Sequence, residues 1–161
     1  VSVRRRGLRL PPQLAAQLQP GNVRVGVLAG ATYPAATLTN AATGEQRPDP
    51  RAGMPVAVIA AALHYGEGQA HARPFLSATF AKEAATWANA FTTLLKQGAS
   101  AEHALGIVGQ VMKEDVQAAV LDWPADNSEA WADFKGFNHG LILTGHLSRS
   151  INDEVTLGKG T

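Results

Sequence analysis

The chain contains no cysteine. Disulfides, thiolate metal sites and a cysteine nucleophile are therefore excluded, while the redox compartment stays open. It also lacks any run of about 18 apolar residues, so no transmembrane helix is expected. No continuous apolar stretch of the secretory type follows the first arginines, which points to a cytosolic product. Charge is scarce: 17% of residues are charged, against roughly 25% in soluble domains. A surface short of charge suits being covered by partners, although alanine richness lowers the same figure. Fourteen basic and thirteen acidic residues nearly cancel, for a formal net charge of +1, which argues against a general nucleic-acid binder. There is no phosphate-binding glycine loop followed by Lys and Ser or Thr, no dinucleotide fingerprint and no nucleophile elbow.

What is present is one domain's worth of chain, with 161 residues of which 45% are hydrophobic. That length leaves little room for two domains. Residues 1–21 read as a basic arm, with Arg4, Arg5, Arg6 and Arg9, three prolines, and a possible short helix at Gln13–Leu18. Residues 22–161 read as a single α+β domain. Val23, Val25 and Val27 alternate with Arg24 and Gly26, the pattern of a half-buried strand. Residues 30–55 are rich in Ala, Thr, Gly and Pro and read as a long extended loop. Val56–Leu63 is a second apolar run, and its Val and Ile content with Pro55 in front favours a strand, with a short buried helix as the alternative.

Two long helices are expected next. Pro74 suits a first helical turn. From there Leu76, Phe80, Ala84, Trp87, Phe91 and Leu94 recur at steps of three and four, so they share one face until Gly98 stops the helix. Ser100 can cap a second helix, with Leu105, Val108, Met112, Val116 and Ala119 as its apolar face and Pro124 as its end. The short Gly98–Ser100 connection makes the two antiparallel neighbours. Ser128 can cap a short acidic, aromatic turn or helix. Gly136–Gly140 reads as a loop, Thr144 or Gly145 opens a final helical turn, and Ser150–Leu157 alternates like an edge strand. The expected fold class is α+β: a central antiparallel two-helix hairpin packed on a small, mostly antiparallel sheet, with the long loop and the N-terminal arm added.

Candidate chemistry is sparse. His64, Glu67 and His71 could on paper supply nitrogen and oxygen donors to a metal, but Gly66 and Gly68 break any helix that would align them. The plainer reading is a turn with Tyr65 packed inward. His146, Ser148 and Asp153 are a triad only by proximity in sequence. Glu114 and Asp115 are adjacent on a helix and point to different faces, a poor arrangement for acid–base work. Trp123, Asp126, Trp131 and Asp133 lie in an acidic, aromatic stretch that reads either as a solvated surface or as an interaction patch for a basic neighbour. The residues carry no enzyme signature, and neither a cofactor nor a metal is expected.

The order of segments nevertheless resembles a family. His64-Tyr65-Gly66-Glu67-Gly68 is followed by Ala72-Arg73-Pro74-Phe75-Leu76 opening a long helix. A second helix comes next, and then Lys135-Gly136-Phe137-Asn138 leads into Leu141 to Ile151 with Thr144-Gly145-His146-Leu147-Ser148 inside. This succession, over residues 55–155, resembles the tail-completion or neck (head–tail connector) proteins of tailed bacteriophages. In that group an aromatic-Gly turn precedes an Arg-Pro-Phe helix start, and a Thr-Gly-x-Leu-x-x-Ser-Ile stretch precedes the last strand. The chain departs from it where His64-Tyr65-Gly66 stands for a common Glu-Phe-Gly, and where Leu143 stands for a common Asp.

The resemblance implies a small α+β fold without catalytic activity. It implies a virion subunit at the neck or tail junction, assembled in the host cytoplasm as a homo-oligomeric ring beside connector, head-closure and tail subunits, with no membrane partner. A tail-terminator ring is the nearest alternative, and a small metal-dependent hydrolase using His64, Glu67 and His71 is the alternative from another class. Arg73, Pro74, Phe75, Thr144 and Gly145 are expected to determine the fold, with Arg73 binding a carboxylate or carbonyl of a neighbouring element. Arg4, Arg5, Arg6, Arg9, Trp123, Asp126, Trp131 and Asp133 are the expected interface residues. The arm and the long loop are expected to order on neighbours as the ring assembles. The arginines either meet the acidic stretch of the next subunit or face DNA in the lumen. In the second case their replacement impairs DNA retention and leaves the ring intact.

Overall fold

The computed structural model describes residues 21–67 and 71–158; the arginines of the arm and the Gln13–Leu18 segment lie outside that range. Strand β1 (Gly21–Val27) pairs antiparallel with the last strand, β4 (Ile151–Leu157), along its whole length. The alternation seen in the sequence sorts the two faces. Val23 opposes Val155 and Val27 opposes Ile151 on the inner face, while Arg24 opposes Glu154 outside and binds it at 2.7 Å. The first and last strands of the described residues thus form one ribbon.

The helical hairpin is α2 (Phe75–Lys96) and α3 (Ala101–Leu121). Gly98, at φ +91°, makes the tight reversal that an L side chain would strain. Ser100 Oγ accepts the His103 amide at 3.2 Å and caps α3. Helix α3 is the central strut, packing on α2 and on both ribbon strands. Trp87 from α2 and Val108 and Met112 from α3 form one buried cluster, flanked by Val23, Val25, Phe80, Phe91 and Leu94. The Trp87 indole N–H finds the Asp115 carboxylate at 2.7 Å, so burial of this side chain leaves no unpaired donor. Ala84 is exposed, unlike the rest of the face read from the sequence.

Residues 56–65 correct the strand reading, because they form a helix, α1 (Val56–Tyr65), with Pro55 at the N-cap position. Three consecutive alanines, Ala60 to Ala62, favour helix. Val56 and Ala60 are buried and Ile59 and Leu63 half-buried, a spacing that puts four side chains on one helical face. Tyr65 corrects a second expectation: it is 77% exposed and not packed inward.

The long connection carries more structure than a loop. Strands β2 (Thr37–Thr39) and β3 (Gln46–Pro48) form a small antiparallel hairpin, whose turn is closed by the Asn40 side chain accepting the Ala42 and Thr43 amides. Tyr33 is buried, and its amide donates to Met54 and its carbonyl accepts from Gly53, both at 2.9 Å. Arg51 lies over the Tyr33 ring at 4.5 Å and pairs with the buried Asp49 at 2.7 Å. Hydrogen bonds from Arg51 hold the Asp49 carboxyl below its ordinary range. These bonds are all internal to the segment.

Two short helices complete the chain: α4 (Glu129–Lys135), ended by Gly136 at φ +76°, and α5 (His146–Arg149), which leads directly into β4. Tyr33, Val56, Ala60, Phe75, Val116, Val120, Leu141, Leu147 and Ile151 form the main core.

Two glycines on α3 test this packing. A Cβ at Gly109 would lie 2.7 Å from Val23 Cγ2 and 3.0 Å from Asp153 Oδ2, whereas one at Gly106 meets nothing within 4 Å. Gly109→Val is expected to lower stability by about 1–3 kcal/mol, and Gly106→Ala to raise it by about 0.5–1 kcal/mol. Thermal or urea unfolding of the two variants beside the parent measures both signs.

Candidate functional site

The most connected polar group is Asp126, in the turn between α3 and α4. Arg73, just ahead of α2 and only 8% exposed, places Nε 3.0 and 2.9 Å from the two Asp126 carboxylate oxygens and Nη2 3.3 Å from its carbonyl. Trp123 Nε1 donates to Oδ2 at 3.0 Å, and His71 Nε2 lies 2.8 Å from the same oxygen. Burial pushes the Asp126 carboxyl up, but the hydrogen bonds from His71, Trp123 and Arg73 and the Arg73 charge outweigh it, and the group sits below its ordinary range. Gly140 must lack a side chain here, since a Cβ would collide with the Asp126 carboxylate. Arg73 also anchors its own backbone, its amide donating to Leu63 at the end of α1. This one clamp ties α1, the start of α2, the end of α3 and the loop before α4.

A second polar knot lies beside it. The Lys135 ammonium is buried and is received by the carbonyls of His139 and Ile142, with the Phe137 ring 4.7 Å away. Desolvation, reinforced by the nearby Arg73 charge, lowers the Lys135 pKa. His139 accepts the Leu141 and Ile142 amides on Nδ1, which leaves Nε2 to donate to the Leu121 carbonyl. Neither Lys135 nor His139 is among the site residues expected from the sequence. Their work is done on backbone carbonyls of a loop, and no spacing rule announces such a partner.

The remaining expected residues fall as follows. Pro74 precedes α2 and Phe75 is buried in the core. Gly145 adopts φ +68° in front of α5, and the Thr144 carbonyl accepts Arg149 Nη2 at 2.9 Å. His146 reaches the Thr32 carbonyl at 3.0 Å and Ser148 the Gly145 carbonyl at 3.0 Å, while Asp153 pairs with Lys113 at 3.2 Å. The three therefore serve separate partners and form no triad. His64 turns to Ser77, 3.3 Å away, and His71 to Asp126, so these two do not meet. Among the described residues no three His, Asp or Glu side chains converge as a metal set.

Trp123 and Asp126 are part of the internal clamp. Trp131 is more open: it stacks parallel on Phe134 at 5.0 Å, and the Arg47 guanidinium lies 4.3 Å from the centre of the Phe134 ring. Asp133 is exposed on α4.

The surface that stands out is α1. Its ten residues, Val56–Tyr65, include no Asp, Glu, Lys or Arg, yet Val58 is 54% exposed and Tyr65 77%. Ala57 and Ala61 are exposed between them, and Met54 adds to the patch just before the helix. Apolar side chains thus stand at the surface of a helix that carries no charge. The sequence hid it, because read as a buried strand the same residues need no partner.

Comparison with family models, curated proteins and solved structures finds no match to this chain.

Removal of the Asp126 carboxylate leaves the Arg73 cation buried and unpaired. Asp126→Ala is expected to cost about 2–4 kcal/mol near neutrality. Because the folded-state pKa of Asp126 is depressed, its contribution is complete above the ordinary Asp value and is lost as pH falls through the folded value. Urea unfolding between pH 7 and pH 2 should show the gap between parent and variant constant above about pH 5 and closing in acid. A gap independent of pH would overturn the assignment.

Proposed function

We propose that this chain is a structural virion protein of a tailed phage, a ring-forming neck or tail-completion subunit between the head–tail connector and the tail. The observation that carries the reading is the uncharged, exposed face of α1 around Val58 and Tyr65. A subunit whose function is geometric needs a rigid body and surfaces to spend on neighbours. Much of its polar chemistry goes inward, to the Arg73–Asp126 clamp and the Lys135 knot.

The resemblance of the Arg73-Pro74-Phe75 and Thr144-Gly145 segments to the phage family supports the same reading, because both segments act as joints of the body. Phe75, Leu147 and Ile151 meet in one core cluster, which brings the two resembling stretches together. The mechanism is assembly: α1 of each copy is covered as copies close around the channel. No helix among the described residues is long and apolar enough to cross a membrane.

Val58→Lys together with Tyr65→Lys puts two charges on that face. Both positions are exposed, so the unfolding free energy is expected to stay within about 0.5 kcal/mol of the parent, while the oligomer dissociates. Sedimentation velocity of parent and variant reads the difference. A parent that is monomeric at every concentration, including beside connector rings, overturns the proposal.

A further inference from the structure

A second surface lies between α2 and α3, at the far end of the hairpin from α3's first turn. Its floor is apolar, built from Phe75, Ala78, Ala119 and Trp123, and its rim carries Glu83, Asp115 and Asp122. Lys82 also lines it and is held by Glu83 at 2.9 Å, and Asp115 accepts the Trp87 indole. Asp122 is exposed at the C-cap of α3, where the helix's terminal carbonyls add negative potential. A segment suited to such a groove brings apolar side chains for the floor and cations for the rim.

The chain itself contains that combination. Val3-Arg4-Arg5-Arg6-Gly7-Leu8-Arg9-Leu10 has four arginines, three apolar side chains and no acidic residue, and all thirteen acidic residues fall between positions 45 and 154. β1 starts at Gly21, whose neighbour is Leu105 near the beginning of α3. The groove lies beside Ala118 and Ala119, about 20 Å along the same helix at 1.5 Å per residue. The ten residues between Leu10 and Gly21 reach at most about 36 Å, so the segment can span this distance to a groove on its own copy or on one packed beside it, and closure of a ring favours the neighbour.

We propose that the α2–α3 groove receives Val3–Leu10 of a neighbouring copy, with Leu8 and Leu10 on the apolar floor and the arginines against Glu83, Asp115 and Asp122. Each copy then gives one arm and accepts one, a heterologous contact that closes into a ring when its rotation allows. The inference deepens the ring reading and rests on it only in requiring that copies meet.

The test uses full-length chains. Arg4→Glu, Arg5→Glu and Arg6→Glu together reverse the arm, and Glu83→Lys with Asp122→Lys reverses the rim. Each set alone is expected to weaken self-association about tenfold or more at low salt, less at high salt. Mixing the two sets is expected to restore pairing between unlike chains, since together they supply one intact arm and one intact groove. Because the parent has no cysteine, Leu8→Cys in one chain and Ala119→Cys in a differently tagged chain report contact directly. Oxidation should link the two chains in preference to a Leu8→Cys and Thr39→Cys control. Circular dichroism melts identify any variant that fails to fold, and the cysteine pair then carries the test.

Rings that persist undiminished with either charge set reversed alone overturn the groove assignment and leave the ring reading standing. No linkage between the differently tagged chains, with linkage formed when a single chain carries both Leu8→Cys and Ala119→Cys, overturns the copy-to-copy contact. Intact rings that lose DNA on arm reversal overturn it in favour of a lumen-facing arm. A parent that never self-associates removes both readings.

Discussion

Everything in the described body is arranged around a guanidinium that has been taken out of water. Arg73 keeps its charge under all ordinary conditions, and at 8% exposure such a charge is tolerable only with a carboxylate and further acceptors in place. Asp126 supplies both oxygens and its carbonyl. The requirement propagates outward. Asp126 must arrive at one point, so α3 has to end at Leu121 and the chain has to turn immediately. Trp123 and His71 occupy what remains of the carboxylate, and residue 140 has no room for a side chain. A polar contact that contributes modestly in net terms thereby dictates where three helices begin or end.

Apolar packing supplies the bulk of the stabilisation, and the clamp gives it a unique arrangement. Val116 and Val120 on α3 meet Phe75, Leu147 and Ile151 in the main core, while Trp87 and Met112 extend packing along the hairpin. The two-stranded ribbon has too few residues to stand alone. It persists because α3 lies across both strands and because Asp153 on its inner face is matched by Lys113. Ion pairs within the body join Arg73 to Asp126 and Arg51 to Asp49, while α1 leaves apolar side chains at the surface.

The ring reading and the arm-in-groove contact place two different surfaces on one subunit, the uncharged helix α1 and the acid-rimmed groove between α2 and α3. Both have apolar floors, and they differ in charge. A neutral face tolerates several partners, whereas a rim of carboxylates selects a basic one and gives assembly a direction. On the function proposed above, a subunit would have to discriminate between more of itself and the next ring, and two chemically distinct faces are a physical way to do so.

Several features were legible in the residues alone. The helical hairpin was, because three-and-four periodicity, Gly98 and Ser100 are local signals that tertiary context rarely overrides. So was the ribbon strand at Val23–Val27, through its alternation. The helix at 56–65 was not: an uninterrupted apolar run lacks periodicity, and β-branched content outweighed three alanines until packing of Val56, Ile59, Ala60 and Leu63 on one side decided it. Chain order determined that Arg73 precedes a helix and that Asp126 follows one. Only the folded backbone, by bringing positions 53 residues apart within hydrogen-bond distance, decided that they belong to each other, because the cost of burying a charge is settled by what lies across from it and not by what lies beside it in sequence.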